Sequence, residues 1–144
     1  MTGLQNFGIY MNKLLTIDAL FLNEDRHTHN IAVLMNGKGG YTYCPIFDNG
    51  AGIAGRYNDG LSADWGIMYS MIDKVQSKTI CSEFSEQLDI SETLYKMNLK
   101  FRFTKKDVKE LLANAEIYPE EIRSRVETII FEQMRKYKYL FTTE

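Results

Sequence analysis

A chain of 144 residues that is 44% hydrophobic and 25% charged has the make-up of one ordinary globular domain with a real core. Its 17 basic and 19 acidic residues leave a net charge of −2, which excludes a global electrostatic footprint for nucleic acid or for an anionic membrane. Two cysteines, Cys44 and Cys81, outside any CxxC pair, argue against a zinc ribbon or a disulfide scaffold and fit a reducing cytosol.

The first 22 residues are fairly apolar, but Lys13 and Asp18 interrupt them and no small-residue cleavage site follows. No stretch reaches the ~18 apolar residues of a membrane span, so the expectation is a soluble, cytoplasmic protein with no membrane partner. Tyr10, Leu14, Ile17 and Phe21 recur at helical spacing and predict a helix up to about Leu22. Residues 23–30 are too polar for core. Residues 31–35 form a short apolar run with β-branched bias, read as a buried strand. Asn36-Gly-Lys-Gly-Gly40 is a turn, and residues 41–47 are a second strand, giving a hairpin.

Beyond Asp48 the signal weakens. Asn58-Asp59-Gly60 reads as a turn, and Trp65, Met68, Met71 and Ile72 as one face of a short helix, packing through Trp65 and the methionines. Thr104 with Asp107 three residues on has the form of a helix cap, followed by Val108, Leu111, Leu112 and Ala115 as the apolar face. Pro119 opens another helix, with Glu120 and Glu121 at the positive end of its dipole and Arg135, Lys136 and Lys138 at the negative end. Its stripe is Ile122, Val126, Ile129, Ile130, Met134 and Tyr137. The outline is α+β and mostly α: helices around one small antiparallel hairpin, in a single domain over 1–144.

Two polar clusters carry the chemistry. Asn23-Glu-Asp-Arg-His-Thr-His-Asn30 precedes the first strand, and Pro45-Ile-Phe-Asp-Asn-Gly50 follows the second. Antiparallel pairing across a tight turn brings Asn30 and Asp48 to the same open end of the hairpin, with Asp25 on the loop leading into it. A carboxylate and a carboxamide oxygen form a ligand set that suits Mg²⁺, and a second carboxylate off the metal can orient an attacking hydroxyl. An Asp, an Asn five residues on, and a later Asp near Gly is the spacing of a phosphoryl-transfer site, with Asp48-Asn49-Gly50 in the place of Asp-Phe-Gly.

On these residues, residues 18–31 together with 45–50 resemble the C-terminal lobe of HipA-like bacterial serine/threonine kinases. Residues 77–88 are similar to a less distinctive segment of the same family, and the Asp-Arg-His-x-x-Asn run alone is shared with phosphatidylinositol-type kinases. The resemblance covers roughly residues 10–90. It implies a protein-kinase-like C-lobe whose hairpin carries the metal site, with ATP and Mg²⁺ as cofactors. Asp25 would be the catalytic base, Asn30 a magnesium ligand and Asp48 the main magnesium ligand. His27 falls on the family's loop histidine, in a structural or phosphate-facing role, and Asn23 and Arg26 support the loop. The implied partners are a nucleotide and a protein substrate, with a separate N-lobe or an antitoxin-like protein as a further partner. Kinases of this kind also need an N-terminal lobe with a phosphate-covering loop and a lysine. Nothing before Tyr10 supplies it, so that lobe is expected to be absent from this chain. Three alternatives follow: a C-lobe fragment, a split kinase, or a non-catalytic module.

Other readings are weaker. Lys38 in Gly-Lys-Gly-Gly lacks the GxxxxGK[ST] spacing of a phosphate loop. His27 and His29 without nearby cysteines make a poor zinc set, and Glu24 reads as solvated. Tyr41, Tyr43 and Phe47 read as strand and core residues. The two C-terminal helices lack the basic charge of a DNA-reading pair. Ser62, Ser70 and Thr79 are candidate phosphorylation positions with no flanking pattern to select one.

Overall fold

The computed structural model describes residues 3–52, 69–70 and 72–142. Asn58-Asp59-Gly60, Ser62 and the predicted packing residues Trp65, Met68 and Met71 lie outside them. The described part is α+β and mostly helical, with four α-helices and one two-stranded antiparallel sheet among the described residues. The chain divides into two compact units, Met1–Asn98 and Leu99–Glu144. No helix among the described residues is long and apolar enough to cross a membrane.

In the first unit, α1 (Phe7–Phe21) ends at Leu22, whose left-handed φ of 54° closes the last turn onto the Asp18 carbonyl. Its buried face is wider than the predicted stripe and rotated by about one residue. Met11, Leu14, Leu15, Ala19 and Leu20 are the core side chains, while Tyr10, Ile17 and Phe21 are half-buried. The rotation follows from its partner, α2 (Phe84–Tyr95), which presents Phe84, Leu88 and Ser91 at helical spacing and packs against α1. Two polar devices set that packing. The Asn12 amide donates to Ser91 Oγ and to the Met97 carbonyl, both at 2.9 Å. A Cβ at Gly8 would meet the Tyr95 ring at 2.5 Å, so the close approach there requires glycine.

The hairpin is shorter and more exposed than its sequence suggests. β1 (Val33–Met35) pairs with β2 (Tyr41–Tyr43) in the register Val33↔Tyr43, Leu34↔Thr42, Met35↔Tyr41. Its turn is built on Asn36, whose side-chain oxygen accepts from the Lys38 and Gly40 amides at 2.9 Å each, with Gly39 at φ 78°. Lys38 thus belongs to the turn. The expectation of a buried first strand is corrected: Val33, Leu34 and Met35 are 42%, 50% and 67% exposed. An apolar run in a two-stranded ribbon has no second layer to cover it unless another element supplies one. The second strand ends at Tyr43, with one more ladder bond from the Cys44 amide before Pro45. Tyr10 anchors the hairpin to α1 by stacking on Tyr43, with centroids 4.5 Å apart and planes 11° from parallel. Burial there, first of all, pushes the Tyr10 phenol above its ordinary pKa.

In the second unit, α3 (Lys105–Ala113) packs against α4 (Glu120–Lys136). Val108, Ile129, Ile130, Tyr137 and Leu140 form its core, beside a cluster of Phe101, Phe103 and Phe141 with rings 5.3–5.6 Å apart. Ile129, Ile130 and Tyr137 of the predicted stripe are buried, but Leu111 on α3 is 72% exposed, a correction to the predicted apolar face. On a nine-residue helix only a narrow face meets a single partner helix, and here Val108 occupies it.

The predicted cap at Thr104 is a full capping box. Thr104 Oγ1 accepts from the Asp107 amide, and Asp107 Oδ2 accepts from the Thr104 amide at 2.6 Å. The backbone hydrogen bond from Thr104, then its hydroxyl, holds the Asp107 carboxyl below its ordinary 3.8. A carboxyl whose folded pKa is depressed stabilises the fold above the unfolded value, and that contribution fades as pH falls through the folded one. The start of α3 should therefore keep its cap down to pH 3.8 and lose it below. A carboxyl-carbon NMR titration of Asp107 with its midpoint under 3.8 is the expected result. A midpoint at or above that value would mean the box does not form in solution.

Candidate functional site

The two sequence clusters meet at one buried side chain, Arg26. The first turn beyond α1 carries Asn23, Glu24 and Asp25, and a short 3-10 turn, Thr28–Asn30, leads into β1. Arg26 points back beneath this loop to Asp18 on the last turn of α1. Its Nε and Nη2 reach the two Asp18 oxygens at 2.9 and 3.0 Å, and both residues are 1% exposed or less. Asn23 completes the acceptor side by donating to Asp18 Oδ1 at 2.9 Å. A fully buried carboxylate–guanidinium pair is tolerable only when its remaining donors are also satisfied, and Arg26 satisfies them across the hairpin's open end. Nη1 donates to the Phe47 carbonyl at 2.6 Å and to the Asn30 carbonyl at 3.3 Å, and Nη2 to Asn49 Oδ1 at 2.6 Å.

This arrangement extends the hairpin without further strand pairing. The Cys44 amide still bonds the Ala32 carbonyl at 3.0 Å. Beyond that point Arg26 takes over, holding the backbone of Asn30 beside that of Phe47. Asp48 lies between Phe47 and Asn49, the two residues Arg26 grips from the second cluster. It is exposed, and its backbone is left-handed at φ 56°, a conformation that Asp tolerates better than most residues.

Each sequence-derived candidate has a definite place. Asn30 is buried, and its amide nitrogen donates to the Asp25 carbonyl at 3.1 Å. Asp25 is half-exposed above Arg26, with Lys78 Nζ 4.0 Å from its Oδ1. His27 is exposed at the start of the 3-10 turn, edge-on to His29 at 5.4 Å. The Asn30 and Phe47 carbonyls and the Asn49 side chain are joined through one guanidinium, and Asp25 is tied to Asn30. Glu24, read from the sequence as solvated, is only 6% exposed, because the loop folds back under α1's C-terminus and takes it inside. Among the described residues no three His, Cys, Asp or Glu side chains cluster as a metal cage. A magnesium site of one carboxylate and one amide oxygen needs no such cage, since water and phosphate oxygens complete the shell.

Three contributors escaped sequence reasoning as parts of the site. Asp18 carries a usable signal: an acid one turn from Leu14 and Leu15 and one turn before Leu22, inside an apolar helix face, asks for a buried cation. Thr79, which donates to the Arg26 carbonyl at 3.0 Å, and Lys78 carry none, because they lie more than fifty residues away in the chain. Compared with family models, curated proteins and solved structures, the chain matches none of them.

Proposed function

We propose that this chain acts in ATP- and Mg²⁺-dependent transfer of a phosphoryl group to a Ser/Thr hydroxyl, as the C-terminal lobe of a HipA-like kinase. The observation that supports this reading is the Arg26 junction, which holds the Asp25 and Asn30 loop against the Asp48 segment. In such reactions there is little covalent work for the protein, and positioning with electrostatic stabilisation supplies the rate.

In this reading Asp25 orients the acceptor hydroxyl and takes its proton. The Asn30 amide oxygen and the Asp48 carboxylate are the groups that hold magnesium, and their oxygen-only chemistry fits that ion. When bound, magnesium neutralises charge on the nucleotide phosphates. Arg26 touches none of the reacting groups and acts by fixing the two segments that carry them. His27 stands on the solvent side of the loop, where a phosphate-facing role is open to it.

The test is Mg·ATP calorimetry on the chain and on its Asp48→Ala variant. Magnesium-dependent binding in the wild type, weakened at least tenfold in the variant, is the expected result. Equal binding by both proteins removes Asp48 from the metal site.

A second reading, a non-catalytic module that binds a partner lobe or an antitoxin-like regulator, draws on the exposed apolar side chains of the hairpin, Val33, Leu34 and Met35. Absence of Mg·ATP binding in the wild-type chain favours it.

A further inference from the structure

Asp48 sits between two grips of one guanidinium. Arg26 Nη1 donates to the Phe47 carbonyl just before it, and Nη2 to Asn49 Oδ1 just after it, both at 2.6 Å. Asn49 is itself exposed, yet its side chain reaches a guanidinium that is fully buried. Its backbone is held separately, with the Gly52 amide donating to the Asn49 carbonyl at 3.0 Å. That turn rests on the end of α1. A Cβ at Gly52 would stand 3.1 Å from the Asn49 carbonyl oxygen and 3.3 Å from that of Phe21. Between these supports Asp48 keeps a φ of 56°, a conformation that costs energy in any residue but glycine.

A left-handed Asp persists where the surrounding structure over-determines it. We propose that the Asn49 side chain is a positioning residue for Asp48: its hydrogen bond to Arg26 keeps the Asp48 backbone left-handed, and so sets where the carboxylate stands relative to Asn30. The grip on the Phe47 carbonyl fixes the chain on one side of Asp48 only. A second fixed point beyond Asp48 is what restrains rotation about its own φ and ψ. A carboxamide suits that point. Asp18 already meets the charge of Arg26, so a neutral acceptor completes the fork without placing a second carboxylate beside Asp48. The consequence for magnesium rests on the phosphoryl-transfer reading above. A site whose competent conformer is only part-populated binds more weakly in proportion.

The test uses the full chain with Asn49→Leu, which keeps the size and removes the acceptor, and with Asn49→Asp, which restores an oxygen at the same place. The first readout is the NMR cross-peak between the Asp48 amide proton and its own Hα, strong when φ is left-handed. It needs neither magnesium nor nucleotide. A strong cross-peak in the wild type, a weak one in Asn49→Leu and recovery in Asn49→Asp are expected. The melting curve of Asn49→Leu should stay close to that of the wild type, because Arg26 keeps both Asp18 oxygens and the Asn30 and Phe47 carbonyls. The second readout is the magnesium dependence of ATP binding by calorimetry, whose midpoint Asn49→Leu should raise roughly fivefold. A strong cross-peak that persists in Asn49→Leu overturns the proposal, and so does failure of Asn49→Asp to restore it. An unchanged midpoint in a variant that has lost the cross-peak overturns the link to the metal. If the wild-type chain binds no Mg·ATP, the kinase reading falls, and the cross-peak alone decides whether Asn49 holds Asp48.

Discussion

Replacing Arg26 with Met should destabilise the first unit by about 3–5 kcal/mol, the cost of breaking a buried ion pair from one side. Asp18 would keep the Asn23 amide but lose the cation that meets both its oxygens, at a position 1% exposed. The Asn30 and Phe47 carbonyls and the Asn49 amide oxygen would lose a shared donor as well. Arg26→Lys should not rescue the loss. An ammonium is a point donor, whereas five acceptor atoms are arranged here around a planar fork. Urea unfolding of these two variants, of Asp18→Ala, of Arg26→Ala and of the double Asp18→Ala/Arg26→Ala checks this. The double variant should cost clearly less than the two single changes added together, because the groups share one network. An Arg26→Met protein within 1 kcal/mol of the wild type would show that the junction does not hold the two segments.

Asp25→Asn should lower phosphotransfer by about 10²–10⁴-fold, the usual contribution of a positioned general base, while leaving the fold intact. The substitution is isosteric and the side chain is half-exposed. Two of the contacts of Asp25 in its loop, its carbonyl to the Asn30 amide and its N–H to Asn23 Oδ1, belong to the backbone and survive. Loss of transfer with an unchanged melting curve therefore separates chemistry from folding, which Arg26 variants cannot do. Transfer at the wild-type rate by Asp25→Asn would remove Asp25 from the role of base.

How much of this was legible beforehand differs sharply between segments. The helices at 105–113 and 120–136, the Thr104–Asp107 capping box and the hairpin turn are carried by local signals. Their hydrogen bonds join residues within a few positions of each other, so spacing and residue type suffice to predict them. The polar character of the loop at 23–30 is legible for the same reason, and its contacts between Asn23, Asp25 and Asn30 are local. Solvent exposure was not legible. The apolar run at 31–35 has the pattern of a buried strand, and whether it is covered depends on a second layer that no local pattern encodes.

The sequence alone was enough to specify where α1 ends, where the helices at 105–113 and 120–136 begin, and that the hairpin's two ends come together. The fold had to supply the Asp18–Arg26 pair as the joint between those ends, the burial of Glu24, and the placement of Lys78 near Asp25. The physical reason is range. Capping and turn bonds act within a few residues, whereas a buried charge takes whichever donors and acceptors the packed chain brings within 3 Å. For Arg26 those partners are spread from residue 18 to residue 49.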